Sequence, residues 1–137
     1  MNSKQDEQLT LLDKSRRKTL REHPELILPN ADNAEISSEK FTSYIFNPCN
    51  KTGFAKGKAF THRLGYSISN WEELKLEIQR NIKNFPAKFR QATPFGNEYE
   101  QKMILYGKTN KPTNVIVAWY EKRGRTWLAT LYVKEVD

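Results

Sequence analysis

The chain has 137 residues, with 23 Lys and Arg against 16 Asp and Glu and a formal net charge of +7. That length supports one domain with one hydrophobic core. A mean hydropathy of −0.80 without an apolar run near ~20 residues excludes a spanning helix, a 12% aromatic share excludes a disordered chain, and the single Cys49 excludes an internal disulfide. The basic excess favours an acidic partner: nucleic acid, an acidic protein or an anionic surface.

Residues 1–23 are highly charged, with Leu9, Leu11, Leu12 and Leu20 as their main apolar content and a basic run at 15–21. They predict a loosely amphipathic helix or leader outside the core, ended by Pro24. The polar start lacks the apolar stretch of a secretory signal. Leu26, Ile27 and Leu28 form a short apolar segment, cut by Pro29 and a polar turn at 30–33. Ser37 or Ser38 can cap a helix over 39–46 with Phe41, Tyr44 and Ile45 on one face. A second helix is predicted over 54–64, with Gly65 as its stop. A third starts at Asn70, where Asn70 and Glu73 have the spacing of a capping box, and its stripe is Trp71, Leu74, Ile78 and Ile82.

From residue 87 the period changes to two. Phe89, Gln91 and Thr93 alternate with Lys88, Arg90 and Ala92, and strands follow over 99–106, 115–121 and 127–134. Lys122, Arg123, Gly124 and Arg125 read as a tight hairpin turn. In the last strand the alternation puts Trp127, Ala129, Leu131 and Val133 on one face and Leu128, Thr130 and Tyr132 on the other. The order predicts an α+β fold, with short N-terminal helices packed on one face of a four-stranded antiparallel meander.

The chain has two distant histidines, His23 and His62, and no zinc-type spacing. It has no phosphate loop and no nucleophile elbow. Glu72, Glu73 and Glu77 have the pattern of a solvated helix face. Glu98 and Glu100 share a strand face but lack a third metal partner. The segment 55–66 is more informative. Lys58 and His62 are four apart and share a helix face, with Phe60 and Leu64 roughly opposite. A lysine offers fixed charge to a phosphoryl oxygen and a histidine moves a proton near neutral pH, although an ordinary basic surface helix has the same spacing. Basic residues in the strands and turns, among them Arg90, Lys108 and Arg123, interleave with Tyr99, Tyr106, Tyr120 and Tyr132, a combination that suits single-stranded nucleic acid. Trp119 and Trp127 equally suit a core under covering helices. Thr93 and Thr130 carry hydroxyls able to bind phosphate.

Several short motifs recur in order from residue 28 onward. They are Leu28, Pro29, Asn30 and Ala31; Gly57, Lys58, Ala59 and Phe60 with Leu64, Gly65 and Tyr66; Asn70 to Leu74; Thr93, Pro94, Phe95 and Gly96 with Tyr99; Val117, Ala118 and Trp119; and Leu128, Ala129 and Thr130. This pattern resembles the C-terminal toxin domains of bacterial polymorphic and contact-dependent growth inhibition effectors. The plan is also similar to the barnase/EndoU/colicin/RelE group of ribonucleases. The resemblance implies a ribonuclease-like toxin domain over 28–137, with 1–27 a charged leader or linker. It implies metal-independent RNA cleavage, often of tRNA, with no cofactor. It further implies a dedicated, acidic immunity protein, a monomer apart from that inhibitor, no membrane, and delivery as part of a larger effector into the target-cell cytoplasm. Lys58, Thr93, Tyr99 and Thr130 match the family pattern; His62 comes from spacing alone.

The sequence therefore supports an endoribonuclease in which the 2′-OH attacks the adjacent phosphate and leaves a 2′,3′-cyclic phosphate. Lys58, His62, Thr93 and Thr130 are the catalytic candidates. Lys56, Arg63, Arg90, Tyr99, Lys108 and Arg123 are the RNA-binding ones, and no residue is assigned to a metal. The alternative is a non-catalytic nucleic-acid-binding module, and a metal-dependent DNase is disfavoured by the poor carboxylate set.

Overall fold

Helices come first and strands last, with the change of period at residue 87 marking the boundary. The computed structural model describes residues 3–136. Helices α1 (Ser3–Glu22), α2 (Lys51–Leu64) and α3 (Trp71–Asn81) precede strands β1 (Ala87–Thr93), β2 (Gly96–Leu105), β3 (Thr113–Lys122) and β4 (Arg125–Val133). The strands pair antiparallel in chain order, so the fold is α+β. Among the described residues no helix is long and apolar enough to cross a membrane.

Local chemistry sets most element ends. Asn50 caps α2 by accepting a hydrogen bond from the Gly53 N–H at 3.0 Å, so the helix begins three residues before the predicted start. Gly65 ends it at φ 78°, where the absence of a Cβ removes the steric cost. The capping box predicted for α3 does not form. The Asn70 side chain accepts from Ser67 N–H at 2.7 Å and donates to the Gly65 carbonyl at 3.1 Å, so it closes the preceding loop instead. The helix predicted over 39–46 is a wide-turn π-helix, Lys40–Ile45. Phe46 N–H bonds the Phe41 carbonyl five residues back at 2.9 Å, and Phe41 and Ile45 still point into the core.

One sheet face is apolar and carries the core. Pairing places Tyr99, Gln101 and Met103 of β2 opposite Trp119, Val117 and Val115 of β3. Phe60 and Leu64 of α2 and Leu74 and Ile78 of α3 join that core. Gln101 is fully buried and fully used: its amide donates to the carbonyls of Ile82 and Phe85, and its oxygen accepts from the Trp119 indole at 3.0 Å. Trp119 is thus a core residue; Trp127 is not. Ala118 pairs with Thr130 while Trp119 pairs with Leu128, so Ala129 is an extra residue in β4. This bulge resets the alternation. Leu128 and Leu131 both point inward, and Trp127, in register with Tyr120, shares the outer face with Thr130 and Tyr132.

The N-terminal segment differs from the prediction. Leu9, Asp13 and Leu20 of α1 are buried, and Leu9 belongs to the core cluster. The helix lies across the end of the sheet where β2 and β4 finish. Asp13 accepts from the Tyr106 hydroxyl at 2.9 Å, just past β2. Arg16 donates to Asn114 Oδ1 at 2.7 Å on β3, and the Arg17 guanidinium sits 4.7 Å over the Phe85 ring just before β1. The leucines are too widely spaced to signal a core stripe, because a helix end-on to a sheet buries isolated contacts.

The two sheet edges differ. Along β4, Glu35 N–H donates to the Thr126 carbonyl at 2.8 Å and Leu128 N–H to the Glu35 carbonyl at 2.9 Å, a short parallel bridge. β1 is an outer strand with residues 88–92 exposed, and a bulge sits between Phe89 and Gln91.

Candidate functional site

The outer sheet face carries the polar and aromatic side chains that the core excludes. Register aligns Lys88, Glu100, Ala118 and Thr130 in one row across all four strands, with Lys102, Ile116 and Tyr132 in the next. Ala118 is small, so the row is low at its centre and higher at both ends. At the β2 end Glu100 is met by Arg90 at 3.3 Å and Lys102 at 3.9 Å. At the β4 end stands Lys56.

The position of Lys56 follows from two glycines. A Cβ at Gly53 would lie 2.3 Å from the Tyr44 carbonyl oxygen, and one at Gly57 would lie 1.7 Å from that of Ile45. α2 therefore packs backbone to backbone on the π-helix, and the residue between these contacts is aimed along the β4 edge. Lys56 Nζ donates to the Tyr44 hydroxyl at 2.9 Å and to Thr130 Oγ1 at 3.2 Å. It also lies 5.2 Å and 5.8 Å from the ring centroids of Tyr44 and Tyr132, a setting that favours a cation. No carboxylate forms a salt bridge with it among the described residues. An ammonium has three donors, and two are engaged by neutral hydroxyls, so its charge is uncompensated and one donor remains for a ligand oxygen.

The remaining sequence candidates are dispersed. Lys58 is exposed, with Nζ 5.6 Å from the Phe54 ring centroid. At ~100° per residue it lies about 200° around α2 from Lys56, so the two cannot serve one phosphate. His62 is exposed and lines a cleft with Gln5, Leu9 and Val133 on the α1 side. The Thr93 hydroxyl is engaged in the β1–β2 turn, donating to the Gly96 carbonyl at 2.8 Å and accepting from Phe95 N–H at 3.1 Å. It is three strands across from Thr130 and several residues along, on the order of 20 Å away by strand spacing and rise. Arg63 donates to the Pro112 carbonyl at 3.0 Å, Lys108 pairs with Glu73 at 2.6 Å, and Tyr99 lies on the core face against Phe89. Arg123 occupies the β3–β4 turn at φ 52°. Of the ten candidates, Lys56 and Thr130 are the pair brought into contact. Tyr44 was missed, although small residues at Gly53 and Gly57, four apart on one helix, are a readable sign that another backbone lies close by.

Four phenol and guanidinium groups among the described residues are electrostatically displaced, none of them in contact with Lys56; the hydrogen bonds to Glu35 raise Arg125. Burial, then Glu77, pushes the Tyr66 hydroxyl well above the usual phenol range. Burial, then Asp13, raises that of Tyr106. Burial lowers Arg16, partly offset by Asp13. Among the described residues no three His, Cys, Asp or Glu side chains are grouped so that they could hold a metal ion.

No curated protein and no solved structure matches the chain. A family model described as a domain of unknown function (DUF6883) matches residues 27–135, which takes in the π-helix, α2, α3 and the whole sheet and leaves α1 outside. The chain belongs to that family.

Proposed function

We propose that the chain is a metal-independent endoribonuclease, with tRNA as the expected substrate and an acidic immunity protein as inhibitor, and that its centre is Lys56 with Tyr44 and Thr130. The observation that carries this reading is the Lys56 ammonium, held by two neutral hydroxyls and no carboxylate, on the outer sheet face. That is a fixed positive charge aimed where an anionic oxygen can sit, which is what a phosphorane requires. The substrate 2′-OH gives its proton to the Glu100 carboxylate on the same row, about 10 Å from Thr130 between backbones. The new bond forms from O2′ to phosphorus while the bond to O5′ breaks. Lys56 and Thr130 hold the non-bridging oxygens, and the Tyr44 hydroxyl gives its proton to O5′. The phenolate left behind lies beside the ammonium, which stabilises it. A 2′,3′-cyclic phosphate and a 5′-OH result.

Incubation with total tRNA in EDTA, with the 3′ ends mapped, tests this. Wild type should cut, Lys56→Ala should lose about 100-fold or more, and Lys58→Ala should stay within a few-fold of wild type. Intact tRNA at high enzyme overturns the reading, and a shifted but uncut band favours a binding module. Equal losses in Lys56→Ala and Lys58→Ala would return the centre to the Lys58 and His62 face of α2.

A further inference from the structure

The outer face continues past Thr130 to a second group of residues that the reaction above does not use. Trp127 and Tyr120 have ring centroids 6.0 Å apart and tilted by 54°, and Phe95 lies 5.9 Å beyond Tyr120. Neither Trp127 nor Tyr120 belongs to the core cluster. With Ser37, Lys40 and Arg125 they line an open cleft of about 490 Å³. Arg125 lies 5.7 Å over the Trp127 ring and is fixed by two bonds to Glu35, at 3.0 and 2.8 Å. Lys40 has no salt bridge among the described residues and sits one helical turn before Tyr44. The rings are therefore flanked by the Lys40 ammonium on one side and by the Arg125–Glu35 ion pair on the other.

We infer that this cleft stacks one unpaired nucleobase beside the Lys56 centre, so that the substrate class is single-stranded RNA or a loop and not a duplex; this rests on the ribonuclease reading. Trp127 is in register with Tyr120 and Thr130 with Ala118, two residues along β3, or about 7 Å. That separation is close to the length of one extended nucleotide. A phosphate held by Lys56 and Thr130 places the neighbouring base over Trp127 and the next phosphate toward Lys40. A base buried in a helix cannot reach the rings, whereas every unpaired base has a π-face to offer them.

The test uses an RNA octamer with 2′-O-methyl groups throughout, which lacks the attacking hydroxyl and so reports binding alone. It is titrated into the protein single-stranded and annealed to its complement. The single strand should bind at least tenfold tighter. Trp127→Leu should lose about tenfold or more and abolish that preference, while Trp127→Phe retains most of it. Equal affinity in Trp127→Leu and Trp127→Phe at matched melting temperatures overturns the inference, as does a preference for duplex. No binding of either form also overturns it and leaves the cleft to a protein partner. If tRNA stays uncut while Trp127-dependent binding persists, the ribonuclease reading fails and the stacking site stands. If tRNA is cut in a Lys56-dependent way but Trp127→Leu binds and cuts as wild type does, the stacking site fails and the ribonuclease stands.

Discussion

At the scale of single residues, the most exacting positions are those with no side chain. A methyl group at Gly57 would overlap the Ile45 carbonyl, with backbone on both sides and no flexible group to give way. Gly57→Ala should therefore cost about 2 kcal/mol or more in a urea titration, in the upper range for overpacking. It should also lower cleavage further than the stability loss alone accounts for, because α2 must shift away from Tyr44. Residue-scale legibility was uneven for the same reason. Helical periodicity placed Phe60 and Leu64 inward from sequence alone. It could not say which of Lys56 and Lys58 meets the sheet, because both flank the buried stripe and the decision rests on which backbone α2 touches. Thr130 was legible as a hydroxyl on a strand, but its partner Tyr44 comes from a segment whose π-helical turn has no simple sequence period.

At the scale of elements, two phenols, the buried Tyr66 and the half-buried Tyr106, fasten the helices to the sheet end. Tyr66 donates to Glu77, whose carboxylate also accepts from the Tyr106 N–H at 2.9 Å. The Tyr106 hydroxyl in turn donates to Asp13 of α1. Both phenols hold their protons more tightly in the folded chain than the ordinary value of ~10. Above that pH the folded state binds more protons than the unfolded one. Their stabilising contribution is complete below about pH 10 and is lost as the pH rises beyond it. Denaturation across that range should show a steep alkaline fall that is shallower in the Tyr66→Phe, Tyr106→Phe double variant. A fall of equal slope in both proteins would remove these two groups as its cause. Elements were the most legible level: three helices and four strands follow from the period of the apolar residues. The exceptions have physical causes. One extra residue in β4 breaks a strict alternation, and α1 meets the sheet at its end, where no continuous apolar stripe is needed.

At the scale of the whole molecule, part of the 23 Lys and Arg is neutralised in local pairs, such as Lys108 with Glu73 and Arg90 with Glu100, and the net charge of +7 is carried by the cations left over. The composition announced the excess; only the fold separates paired cations from available ones. Lys40 and Lys56 lie along the proposed RNA path without a carboxylate partner among the described residues, whereas Arg125 is paired with Glu35. Two phosphate contacts imply that raising salt from 50 to 200 mM weakens single-strand binding about sevenfold, from a slope near −0.7 per contact. Filter binding across that range should show this dependence, and Lys58→Ala should leave the slope unchanged; a flat response would rule out the path. The sheet also has an asymmetric perimeter. Its β4 side is closed by Glu35, whereas β1 presents an unpaired margin with Phe89 exposed. A second copy pairing along this margin would meet the exposed charge of Lys88, and the bulge at Arg90 interrupts the straight run that such pairing needs. The bulge at Arg90 and the exposed charge of Lys88 are therefore the features of this margin that oppose strand-to-strand growth between copies, and polyanions in solution would mask the charge but not the bulge.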